Sequence, residues 1–114
     1  MITIDTLNAY GADTKTGLTR CMNMEAFYLR LVNTELNDQN FDKLARAMEA
    51  GDAAAAFEAA HAIKGAAGNL SLTPIFAPVS ELTELLRGAT AMPDTGDLAQ
   101  RVLNAFEDLK KLAE

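Results

Sequence analysis

One cysteine, one histidine, three prolines and no tryptophan are all that 114 residues hold of the types that most often staple, ligate or interrupt a chain. Cys21 alone cannot form a disulfide within the chain, and Cys21 with His61 cannot assemble a Cys/His zinc site, so no metal centre is expected and a reducing compartment fits best. No apolar run approaches the roughly 20 residues that cross a bilayer. The opening MITIDTLNAYGADT lacks the basic stretch and long apolar run of a signal peptide, which favours a cytoplasmic location. Cations are also scarce. Ten Lys and Arg face sixteen Asp and Glu, a net charge of −6 with a pI near 4.7. A broad nucleic-acid footprint or a patch for anionic membranes is thereby disfavoured, and any anion must be held locally. There is no GxxxxGK[ST] or GxGxxG phosphate loop, so a self-contained kinase is not expected.

What is present is helical periodicity. The chain is 49% apolar and 23% charged, ordinary globular usage, and its length suits one domain over residues 1–114 at about 150 residues per domain. Met24, Phe27, Tyr28, Leu31 and Val32 recur at three- and four-residue spacing behind a cap expected at Asn23, which predicts a helix over 24–36. Phe41, Leu44, Ala45 and Met48 continue the period to Gly51, a left-handed stop, after which Asp52 can cap a helix over 53–69. Thr73 as cap and Pro74 at the first position begin a helix expected over 74–87, where Pro78 predicts a kink or a later start. Leu98, Val102, Ala105, Phe106, Leu109 and Leu112 form a last amphipathic helix with Lys110 and Lys111 at its negative end. Ile2, Ile4, Leu7, Leu18 and Cys21 suggest one or two short N-terminal helices limited by Gly11 and Gly17. The fold class expected is all-α: an antiparallel four-helix bundle with one or two short extra helices before it. Tyr10, Tyr28, Phe41, Phe76 and Phe106 read as packing residues.

The residues around His61 can be placed on their helix by its advance of about 100° per residue. With His61 at zero, Gly65 falls near about +40°, Gly68 near about −20°, Phe57 near about −40° and Lys64 near about −60°, while Ile63 lies near about 200° on the opposite side. If Ile63 faces the core with Ala56, Ala59, Ala60, Ala67 and Leu70, the imidazole points outward. Two helical glycines cost roughly 2 kcal/mol against alanine. Either they open the backbone beside the histidine to another protein, or they let two helices of the bundle pack closely. An imidazole in water is mostly neutral near pH 7, with a nitrogen lone pair free to accept a phosphoryl group. Taken alone, His61 fits an ordinary surface histidine better than a phosphoryl acceptor, and Lys64 fits an ordinary lysine paired with Glu58 or another acid equally well.

The string AHAIKGAAGNL at 60–70 resembles the histidine-containing phosphotransfer (HPt) family, whose core pattern is HxxKG followed by small residues and an Asn-Leu or similar pair. The resemblance extends upstream through GLTRCMNMEAFYLRLV at 17–32 and the AGD turn at 50–52, and downstream into SELTELLRG at 80–88. It implies a helical bundle whose His61 is the phosphoacceptor, exchanging a phosphoryl group with the aspartate of a response-regulator receiver domain or taking it from a hybrid sensor histidine kinase. Lys64 then supplies electrostatic support and Gly65 clearance for the partner. Phe57, Gly68, Met22 and Phe27, with Leu18 and Met24, are candidate receiver-docking residues, each with core or inter-helix packing as the alternative. No intrinsic cofactor is implied, Mg²⁺ being expected on the receiver. Ser71 departs from the glycine common at its place, which bears on the local helix end. The alternative function is a non-phosphorylated helical interaction module that binds signalling proteins through the same surface. A metal-dependent enzyme would need convergent ligands that the sequence does not supply.

Overall fold

The computed structural model describes residues 1–114 and contains seven helices and no strand. They are α1 (Ile4–Tyr10), α2 (Thr14–Arg20), α3 (Glu25–Glu35), α4 (Asn40–Ala50), α5 (Ala53–Asn69), α6 (Thr73–Leu86) and α7 (Leu98–Lys111). The all-helical expectation holds, with α1 and α2 as the short N-terminal pair. α4, α5, α6 and α7 make the bundle: each packs on the next, and α4 closes on α7. Links as short as those at 51–52 and 70–72 oblige consecutive packed helices to run antiparallel.

Local chemistry explains most boundaries. Gly51 adopts φ 68° and ends α4, and the Asp52 carboxylate accepts the Ala55 backbone N–H at 3.1 Å to start α5. α5 is alanine-rich and buries Ala56, Ala59, Ala60, Ile63 and Ala67 in one core of 25 side chains that runs from Ile2 to Leu109. Small side chains on α5 let α4 and α6 approach from either side. Phe41 and Phe106 stack at a centroid distance of 3.7 Å and an interplanar angle of 2°, joining α4 to α7.

Four local expectations need correction. Asn23 does not cap α3. It and Met22 both lie in the left-handed region, at φ 57° and 56°, and reverse the chain after α2; the cap position falls to Met24, which has no side-chain cap bond. Thr73 is the first helical residue of α6 rather than its cap, because the buried Leu72 takes the cap position and leaves Pro74 second. Pro78 delays nothing: α6 starts at Thr73 and runs unbroken through the proline to Leu86. The donor that Pro78 lacks would have met Pro74 in the first turn, and its ring is buried in the packed face. Gly17, expected to limit a helix, lies inside α2, where a Cβ would stand 2.6 Å from the Tyr28 ring.

Tyr28 ties the N-terminal helices to the end of α5. Its buried hydroxyl donates to the Leu70 carbonyl at 2.8 Å, and burial pushes its pKa up to about 12. The backbone N–H of Asp13 adds a bond of 2.9 Å to the Ser71 carbonyl. At the turn between α3 and α4, Glu35 is 9% exposed and its Oε1 has no partner. Burial, then the Asp38 carboxylate, raise its pKa to about 8, so the group is neutral at pH 7, as a buried acid without a counter-ion must be.

Candidate functional site

The capped start at Asp52 fixes the rotation of α5, and with it the face that carries His61. Ile63 is fully buried and His61 is exposed, in agreement with their opposite angular positions. His61 lines a groove of about 480 Å³ whose walls come from three parts of the chain. The start and end of α2 give Asp13, Thr16 and Arg20; α5 gives His61, Lys64, Gly65, Gly68 and Asn69; the turn into α6 gives Ser71, Thr73 and Phe76.

One side of the imidazole is set by stacking. Phe57, one turn earlier and half-buried against the core, lies 5.7 Å from His61 between centroids, with planes 13° apart. The Arg87 guanidinium sits 5.2 Å from the centroid of the same Phe57 ring. A stacked pair of this kind restrains the imidazole plane while leaving the nitrogens on the ring edge accessible. Phe57 therefore acts within the chain as the support of His61, whatever else it touches.

Lys64 lies one turn after His61, and its Nζ is 3.8 Å from Glu84 Oε1 on α6. Glu84 also binds Arg87 in a two-pronged contact, Oε1 to Nη2 at 3.1 Å and Oε2 to Nε at 3.3 Å. The Arg87 bond foremost, its charge next and Lys64 after them hold the Glu84 carboxyl below the usual carboxylate range. An exposed pair such as Lys64–Glu84 is worth about 0.2–1 kcal/mol, so Lys64 can turn to a stronger anion at little cost.

The two glycines separate. A Cβ on Gly65 would meet nothing within 4 Å, so the backbone beside His61 is bare. A Cβ on Gly68 would stand 2.9 Å from Phe76 Cε1, so the missing side chain at 68 makes room for an aromatic ring of α6. Packing within the bundle thus accounts for Gly68, while nothing in the chain occupies the space at Gly65. Phe76 itself is 37% exposed beside the groove rather than sealed in the core, unlike Tyr28, Phe41 and Phe106.

The remaining candidates lie around this groove without lining it. Met22 is 75% exposed in the left-handed turn after α2, and Met24 is also exposed. Phe27, half-buried, lines a separate depression of about 290 Å³ with Arg20, Cys21, Leu31, Asn69 and Leu70. Leu18 packs against the core. The N-terminal acid Asp13 is engaged locally: its carboxylate accepts Thr16 Oγ1 at 2.7 Å and the Thr16 N–H at 3.2 Å, and these bonds hold it below the usual carboxylate range.

Arg20, Phe76, Glu84 and Arg87 escaped the reading of residues along the chain. A local signal existed only for Glu84 and Arg87, an acid and a base three apart on one helix. Arg20 reaches the Gly68 carbonyl at 2.8 Å across a separation of 48 residues, a relation no helical period contains. Nowhere do three or more His, Cys, Asp or Glu side chains converge in a way that could hold a metal ion. No helix is long and apolar enough to cross a membrane.

Ser71 also has a geometric account. It adopts φ 55°, the left-handed conformation that closes α5, with the Ser71 N–H bonded to the Gly68 carbonyl at 3.2 Å and the Leu72 N–H to the Ala67 carbonyl at 2.9 Å. This closure is the one that glycine makes most easily.

Comparison with family models matches residues 29–112 to the family described as "Hpt domain". The matched span starts within α3 and takes in the whole bundle, His61 and Lys64; α1 and α2 lie before it. Comparison with curated proteins and with solved structures gives no match.

Proposed function

The chain belongs to the Hpt domain family, whose members in general act as phosphotransfer modules of two-component systems, and on that premise we propose that it is a phosphoryl carrier whose His61 exchanges a phosphoryl group with receiver-domain aspartate. The observation that carries the reading is an exposed imidazole, stacked on Phe57 and bordered by bare backbone at Gly65, on the family-matched part of the chain.

In the forward step an imidazole nitrogen of His61 attacks the phosphorus of an aspartyl phosphate. The N–P bond forms as the P–O bond to the carboxylate breaks, and the aspartate leaves as its anion; the reverse step returns the group. Such transfer needs alignment and charge neutralisation more than acid–base work. The stacked Phe57 holds the ring for in-line approach. Lys64 exchanges the Glu84 carboxylate for the phosphoryl oxygens, and Gly65 lets the partner's backbone close over the imidazole. In this reading the acidic site and its Mg²⁺ belong to the receiver, so the carrier depends on its partner for catalysis. A hybrid sensor kinase is the second class of donor, and the setting is the cytoplasm.

The test is incubation of the purified chain with phosphorylated receiver domains and Mg²⁺, followed by a search for an acid-labile, base-stable adduct. His61→Gln is expected to abolish labelling while costing at most about 1 kcal/mol of stability, the worth of one exposed aromatic stack. Labelling that survives in His61→Gln places the acceptor elsewhere. Receiver binding with no adduct across the panel overturns the carrier reading in favour of the non-phosphorylated interaction module.

A further inference from the structure

The N-terminal helices stand outside the span that matches the family, yet α2 builds one wall of the His61 groove. We infer that Arg20 is a docking residue, holding a carboxylate of the incoming receiver domain at the far end of that groove from His61; the inference rests on the phosphorelay reading above.

The guanidinium is placed rather than loose. Tyr28, over Gly17, and the Asp13–Ser71 backbone bond pin α2 to the end of α5, and Arg20 Nη1 then donates to the Gly68 carbonyl. That bond uses one of the five N–H donors of a guanidinium. No carboxylate of the chain comes within ion-pairing distance of Arg20: the five ion pairs, among them Lys64–Glu84 and Arg87–Glu84, all involve other cations. The nearby acid, Asp13, is already engaged by Thr16. A pre-positioned, exposed and unpaired guanidinium on a protein of net charge −6 is suited to a bidentate bond with a partner's carboxylate.

Distance separates this role from the chemistry. Gly68 follows His61 by seven residues, which places the carbonyl that anchors Arg20 about 10 Å along the helix axis from the His61 backbone. That offset sets the anchored guanidinium apart from the reacting nitrogen and lies well within the patch of roughly 800 Å² that one partner covers in a stable interface. Phe76 shares the groove wall with Arg20, Met22 is exposed two residues further along the chain, and methionine, aromatic residues and arginine are the types enriched where interfaces form. The partner's chemistry follows from charge: the groove contributes Arg20 and Lys64 against one engaged acid, which suits a receiver surface that presents a carboxylate beside its reacting site.

The decisive variant is Arg20→Gln, which removes the charge while keeping a polar side chain. With a receiver that labels His61, the expected result is a five- to tenfold rise in KM for the phosphorylated receiver, a weaker salt dependence and an unchanged rate at saturation. Arg20→Lys should recover part of the affinity. A KM equal to that of the original chain, or a loss confined to the saturating rate, overturns the proposal. Should Arg20→Gln fail to fold, the unaltered protein decides: the Arg20 Nε–H resonance must move on titration with the unphosphorylated receiver, and a resonance that stays in place overturns the inference. Absence of any His61 labelling in the unaltered chain would instead sink the carrier reading, so the two failures are distinct.

Discussion

Gly65 and Gly68 sit three residues apart on α5, both near the face of His61, and each weakens its helix by about the same amount. In space they have nothing in common. Above Gly68 lies the Phe76 ring, close enough that a Cβ would stand at 2.9 Å, whereas the space above Gly65 is empty. Neither residue has a positive φ, so backbone freedom accounts for neither. One glycine serves the contact between α5 and α6; the other gives the isolated chain nothing in return for its cost, and its position beside an exposed imidazole directs attention to what comes from outside. A small-residue pattern thus has two physical causes that only the neighbouring helix can tell apart.

Substitutions at the two positions should break the symmetry of the sequence pattern. Gly68→Leu is expected to lower folding stability by about 2 kcal/mol, since overpacking outweighs the gain in helix propensity. Phe76→Ala in the same chain should restore much of that loss in a denaturant titration, as coupled neighbours do. A fully additive pair of losses would show that the Phe76 contact is not the cause. Gly65→Leu should act in the opposite sense on the fold, raising stability by up to about 1 kcal/mol, while weakening receiver binding about tenfold, equivalent to about 1.4 kcal/mol. Calorimetry and binding read on the same samples would then move in opposite directions, and undiminished receiver affinity would remove the clearance role from Gly65.

Ser71 sharpens the comparison from the other side. There a serine occupies φ 55° where glycine would be free of strain, so Ser71→Gly should raise stability by about 0.5–1 kcal/mol. A thermal melt that shifts downward would mean the serine contributes something other than a helix end. Position 71 has a backbone reason for glycine and lacks it; position 65 has no such reason and keeps it.

The signals along the chain were strongest where they were local. Asp52 after Gly51 marked the start of α5, and the angular separation of His61 from Ile63 marked its outward face; both need only the geometry of one helix. Where a cap competed with tertiary placement the local signal failed. Asn23 was drawn into a left-handed reversal between α2 and α3, and Thr73 gave its cap position to a leucine that the core claimed. Pro78 reads as a breaker in isolation, yet α6 runs unbroken through it with its ring in the packed face.

Periodicity, capping residues and the one-turn spacing of Phe57, His61, Lys64 and Gly65 were enough to establish a helical protein with an imidazole on an outer face, because a helix repeats the same rotation at every residue. Contacts between helices obey no such period. The pairing of Lys64 with Glu84, the seat of Phe76 on Gly68 and the reach of Arg20 to the end of α5 arose only when distant segments were packed together, since burial of one shared apolar core sets which surfaces meet and the polar residues at their edges follow.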